Sequence, residues 1–190
     1  MRVLRFLALG CVGLGCGAQP NANSPARDYN YTHWLDATEQ TSQWTLDWVE
    51  EPDFQLALVQ GKGTDRVVIE RLGDTPANSA AFYVADGSLL EPQFDHLTAL
   101  PNTSVATGEL VALREDDGTP GQELEACQDG VISCAVLGFG ISNSSGEAVW
   151  LLDAQLRVLD RTAYPGGLSS GQCWIRRERL WRVESCAAGP

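Results

Sequence analysis

His96 follows Asp95 directly, and an Asp–His neighbour pair is the one place in this chain where residue types suggest a general acid–base unit. Successive residues of a strand point to opposite faces, so adjacency alone does not let such a pair cooperate. Catalysis would also need a nucleophile, a base and a group that orients the base. No motif supplies them: the chain has no Gly-x-Ser-x-Gly elbow, no His-Glu-x-x-His and no Walker loop. The string "GKGTD" at 61–65 lacks the Walker spacing and reads as a turn around Lys62. His33, the other histidine, sits in a polar N-terminal stretch. No catalytic residue, no enzyme activity and no cofactor are expected.

Two other clusters have binding chemistry. The acids of "REDDGTPGQELEACQDG" (114–130), in particular Asp116, Asp117, Glu123 and Glu125, are the candidates for holding Ca²⁺, which prefers several oxygen ligands. The EF-hand spacing is absent, and a solvated acidic loop explains the same composition. Six tryptophans, Trp34, Trp44, Trp48, Trp150, Trp174 and Trp181, suggest stacking on a glycan. Filling a β-sheet core is the commoner use of such rings. "IRRERLWR" gathers Arg176, Arg177, Arg179 and Arg182, either as a local basic patch or as partners for carboxylates across strands. The net charge is −12, and removing residues 1–15 takes away Arg2 and Arg5 but no acid, leaving −14. Such a surface repels phosphate backbones, so nucleic acid is not an expected partner.

The first sixteen residues, "MRVLRFLALGCVGLGC", have two arginines, a short apolar run and small residues before a cysteine. These are the parts of a secretory signal, and the apolar run is too short to span a bilayer as a helix. "GLGC" resembles a bacterial lipobox, which implies cleavage before Cys16, its acylation and anchoring to the membrane, with palmitate among the acyl groups. Cys11 after "ALG" and plain secretion with cleavage after Ala18 are the alternatives. The expected location is the cell envelope, as an outer-membrane lipoprotein with an envelope or extracellular protein partner.

Four further cysteines, Cys127, Cys134, Cys173 and Cys186, would then lie in an oxidising compartment. An even count there implies two disulfides, with three possible pairings. Cys127–Cys134 and Cys173–Cys186 are favoured because each pair brackets a turn, Asp-Gly in the first case and the middle of "CWIRRERLWRVESC" in the second. The spacing does not match a zinc site.

These residues need a scaffold. Residues 16–42 are polar, with Asn, Ala, Pro and Ser, and read as a tether. From about 43 to 190, short apolar segments alternate with turn clusters, the pattern of an all-β domain. Candidate strands are 43–49, 54–61, 65–72, 80–86, 109–115, 134–141, 147–153, 156–164 and 180–185. "PQFDHLTALP" fits one helical turn or a short strand. In "EAVWLLD", Ala148, Trp150 and Leu152 share one face and Val149 and Leu151 the other. In "LRVLDRTAY", Leu156, Val158 and Asp160 are placed on one face. Asp153, Ala154 and Gln155 form a hairpin connection, and "SNSSG" reads as a loop bonded through its own short polar side chains.

The order of these pieces resembles the lamin tail domain family in its bacterial exported form. "GFGISNSSGEAVWLLDAQLRVLDRTAYP" matches an Asn/Gly loop, a strand, an Asp-containing turn, a strand ending in Val-x-Asp, and a Tyr-Pro. "SSGQCWIRR" matches a Gly-x-Ser-x-x-Arg segment, followed by a Trp strand and a closing Pro/Gly tail. Upstream, "DRVVIERLGDTPANSAAFYVADG" and "ATGELVALRED" are similar to the family's first half. The chain departs from the pattern where Ala81-Phe82 replaces Gly-Trp, Thr107 replaces Pro, and the Asn after the Glu strand is missing. Cys173 stands where Ser is usual, consistent with an added bridge to Cys186. The resemblance implies an immunoglobulin-like β-sandwich serving adhesion, scaffolding or substrate presentation at the envelope. The alternatives are a Ca²⁺- or glycan-binding module, or an accessory domain to a secreted hydrolase.

Overall fold

Alternating and doubly apolar segments become strands because each must bury at least one face. The computed structural model describes residues 47–190. The leader at 1–15, Cys11, Cys16, the tether at 16–42, His33, Trp34 and Trp44 lie outside the described residues, as does most of the 43–49 segment. The strands among the described residues are β1 (Phe54–Gln60), β2 (Arg66–Arg71), β3 (Ala77–Asn78), β4 (Tyr83–Gly87), β5 (Thr98–Ala99) and β6 (Ser104–Val105). They continue with β7 (Leu110–Arg114), β8 (Val131–Val136), β9 (Glu147–Leu152), β10 (Val158–Tyr164), β11 (Gln172–Arg177) and β12 (Leu180–Ser185). Three-residue 3-10 turns occupy Ser79–Ala81, Phe94–His96 and Cys186–Ala188.

The strands form an all-β sandwich. One sheet has six strands in the order β12-β11-β1-β2-β7-β8, the other has four in the order β10-β9-β4-β5, and β3 pairs with β6 separately. Neighbours run antiparallel except β7 and β8. The main core lies between the sheets and includes Phe54, Leu56, Val67, Ile69, Val111, Leu113, Val149, Leu151, Trp174 and Trp181. On the outer face of the six-stranded sheet, Leu58, Val68, Ala112, Cys134, Cys173 and Ile175 form a second apolar cluster. On the outer face of the four-stranded sheet, Ala148, Trp150, Leu152 and Val158 form a third. The two-face reading of β9 therefore holds, with both of its faces buried.

Several boundaries differ from expectation. β8 runs Val131–Val136 rather than 134–141: the chain leaves the sheet after Val136, while Leu137, Phe139 and Ile141 still pack into the core. The 80–86 segment opens as a 3-10 turn capped by Asn78, whose side chain accepts from the Ala80 amide at 2.8 Å, and the strand starts at Tyr83. "PQFDHLTALP" contains both a helical turn and a short strand. β11 was not among the expected strands. Its Cys173 and Ile175 face outward and Trp174 inward, all three buried, so no polar–apolar alternation marks it.

The placement of Val158 and Asp160 on one face is corrected by a bulge. The β10–β9 register slips between Val158, opposite Leu152, and Asp160, opposite Leu151. The extra residue turns Asp160 to the core side while Val158 stays outside. Leu156 is not in the strand: it takes φ 61° in the hairpin turn, a left-handed conformation rare for a residue with a branched side chain. The disulfides join Cys127 to Cys134 and Cys173 to Cys186, with Cα–Cα distances of 5.7 and 5.0 Å. No helix among the described residues is long and apolar enough to cross a membrane.

Candidate functional site

At one end of the sandwich the apolar core gives way to polar groups on the inward faces. Glu147 continues the inward row of Val149 and Leu151 on β9, and Asp86 stands opposite Val149 on β4. Asp65 immediately precedes β2, and Tyr164 ends β10 opposite Glu147. The 3-10 turn at Phe94–His96 brings His96 over this end, where its ring lies parallel to Phe139 at 6.1 Å. The carboxylate that His96 meets is Asp86, with Nδ1 and Oδ1 2.7 Å apart, not its sequence neighbour Asp95. Asp86 is buried and His96 is 37% exposed, so the carboxylate orients an imidazole that stays partly accessible to solvent.

The loop between β8 and β9 closes around these groups. Glu147 accepts from the Ser142 amide at 2.9 Å, and Asp65 accepts from the Ile141 amide at 2.6 Å. Asn143 Oδ1 accepts from Tyr164 Oη at 2.7 Å and from the Leu168 amide at 3.1 Å. Ser142 and Ser145 hydroxyls lie 2.9 Å apart, the self-bonded loop expected from "SNSSG". Gly61 fits beneath it because a Cβ there would lie 2.7 Å from Ile141 Cγ2. Burial pushes Glu147 up to about 7, helped by the negative charges of Asp86 and Asp65 and opposed by the Ser142 amide and His96. Burial likewise raises Asp65, and it pushes Tyr164 up to about 12.

This end gathers a raised carboxyl, Glu147, with the His96–Asp86 pair, the residue types that proton transfer uses. Acyl or phosphoryl transfer by a triad would also need a hydroxyl or thiol on the imidazole, and among the described residues none bonds to His96. No three His, Cys, Asp or Glu side chains among the described residues converge into a metal-holding group. The four Ca²⁺ candidates are accordingly not brought together: Asp116 pairs with Arg114 at 3.1 Å, and Glu123 accepts from the Asn102 amide at 2.9 Å. The acid run bridges the parallel β7–β8 connection, where Asp116 serves its own turn and Glu123 ties the run to the β5–β6 connection.

The other candidates are parts of the scaffold. Trp150, Trp174 and Trp181 are buried. Trp150 lies under the Arg161 guanidinium at 4.6 Å, and Trp174 donates to Thr162 Oγ1 at 2.9 Å. Of the arginine cluster, Arg177 bonds Glu184 at 2.8 Å along the β11–β12 pair. Arg176 crosses between the sheets to Asp160 at 2.7 Å. The two aspartates flanking the β9–β10 turn have separate structural roles. Asp153 accepts from the Gln155 and Arg157 amides, each at 2.9 Å, and fixes the turn. Asp160 accepts from the Leu56 amide at 2.8 Å and the Arg161 amide at 2.8 Å. Burial raises its carboxyl, while Arg176 and those amides pull it back.

Sequence reasoning missed Asp86, Glu147, Asp65 and the buried Arg66 and Arg161. Each is an ordinary strand or strand-end residue in sequence, and partners from other strands and loops give it its environment. The alternation of β9 is the one signal that would have put Glu147 on the inward row. No family model matches the chain, and no curated protein matches it significantly.

Proposed function

We propose that this chain is a non-enzymatic, envelope-anchored lipoprotein whose sandwich is of the lamin tail, immunoglobulin-like type and serves protein interaction, adhesion or scaffolding. The observation that carries the reading is the Asp160–Arg176 pair. The Val-x-Asp at 158–160 and the Gly-x-x-x-x-Arg at 171–176 are two of the motifs on which the resemblance rests. They meet as a buried, two-pronged ion pair, with contacts of 2.7 and 3.1 Å, that ties the two sheets together. A pattern whose polar positions are structural in this way suits a display domain.

The anchor is tested by labelling cells with palmitate. Label on the wild-type chain and its recovery with membranes are expected, and Cys16→Ala is expected to lose both. An unlabelled wild-type chain would remove the lipoprotein reading. Crosslinking in intact envelopes, with the anchor retained, is expected to trap a discrete protein partner.

A further inference from the structure

The outer face of the six-stranded sheet carries a cavity separate from the polar end described above. Strand order puts Cys173 on β11 and Cys134 on β8, with the three central strands between them. Each disulfide ties an irregular segment over this face: one holds the loop around Cys127, the other the turn at Cys186–Ala188. Between these two walls lies a cavity of about 470 Å³ whose floor includes Arg66 and Val68 of β2. Its volume is within the range of small-molecule sites.

Arg66 is 8% exposed, and among the described residues no carboxylate lies within ion-pairing distance of it. Its Nε is buried with no hydrogen-bond partner. Its one polar contact is a long one, Nη2 to Cys173 Sγ at 3.9 Å. The other deeply buried arginines are matched: Arg71 with Asp53, and Arg161 with the Leu89 carbonyl and the Trp150 ring. The cross-strand neighbours of Arg66 do not help, since Gln60 is neutral and Arg114 is itself cationic and paired with Asp116. A guanidinium stays charged at any ordinary pH, and taking it out of water without a counter-charge is costly. Such a cost is offset when an anion reaches the guanidinium.

We propose that this cavity binds a small organic monocarboxylate, its carboxylate gripped by Arg66 and its apolar body lying on Val68, Leu110 and Val131. The planar fork of the guanidinium matches a carboxylate bidentately. Val68, Leu110 and Val131 give a hydrocarbon body apolar contacts that a bare ion cannot use. Asp129 at the rim and the acidic chain as a whole disfavour a dianion such as phosphate. The site does not depend on how the chain is anchored.

The test is calorimetric titration of the oxidised full chain at low salt with hexanoate, benzoate, acetate, inorganic phosphate and the uncharged analogue hexanamide. Hexanoate or benzoate is expected to bind one to one, at least tenfold more tightly than acetate, phosphate or hexanamide. Arg66→Met is expected to weaken that binding at least tenfold while raising the melting temperature of the ligand-free protein, because an uncompensated buried charge has been removed. Arg66→Lys, which keeps the charge without the fork, is expected to fall between the two. The proposal is overturned if no carboxylate binds at millimolar concentration, or if Arg66→Met binds as well as wild type. It is also overturned if Asp129→Asn lowers the melting temperature with no carboxylate bound, for Asp129 would then be the counter-ion of Arg66.

Discussion

Glu147 illustrates how a single side chain acquires a property its sequence neighbours do not confer. It is half-buried on the inward row of β9, and burial with the nearby Asp86 and Asp65 raises it from 4.5 to about 7. A carboxyl raised on folding favours the folded state only while protonated. Its contribution is therefore fully present below about pH 4.5 and is lost as pH rises through about 7. Discounted for its partial exposure, the loss amounts to about 1–2 kcal/mol. Glu147→Gln, which keeps an oxygen for the Ser142 amide, is expected to match wild type in urea unfolding at pH 4.5 and to exceed it by that amount at pH 8. Parallel stability profiles for the two proteins would refute the assignment. At this scale sequence disclosed residue types and little else. Asp95 and His96 are adjacent in the chain, yet the imidazole is oriented by Asp86, because a 3-10 turn and not a strand carries it.

At the scale of elements, the β9–β10 hairpin was readable and its consequence was not. Apolar spacing and the Asp-containing turn foretold two strands and a tight connection. The bulge at the start of β10 is a one-residue event with no marker in the sequence, and it decides that Asp160 faces inward. Once inside, Asp160 needs Arg176, which projects from the strand that the apolar pattern failed to disclose. Removing one partner of such a pair leaves a buried charge, so Arg176→Met is expected to cost about 3–5 kcal/mol. The double variant Asp160→Asn/Arg176→Met is expected to be more stable than the sum of the two single losses predicts, by at least about 1 kcal/mol in a double-mutant cycle. Simple additivity would show that the two groups do not act as a pair.

At the scale of the whole molecule, the two disulfides brace opposite sides of one sheet face. Their loops close over sequence separations of 7 and 13 residues. In the chain-entropy model such loops stabilise by about 2.5 and 3 kcal/mol. Complete reduction is expected to lower the unfolding free energy by up to about 5 kcal/mol, and non-reducing peptide mapping is expected to recover the 127–134 and 173–186 links. Four free thiols in protein taken from its natural compartment would contradict both the bridges and the exported location that predicts them.

The all-β class, most strand positions and the two-face pattern of β9 were determined by the sequence itself, which favoured one of three cysteine pairings, and the structure shows that one. These follow from local rules: side-chain period and turn residues. The inward turn of Asp160, the His96–Asp86 pair, the raised Glu147 and the sequestered Arg66 were decided by tertiary structure alone. Burial and electrostatics depend on what approaches through space, and in each of these cases the approaching group comes from a different strand or loop.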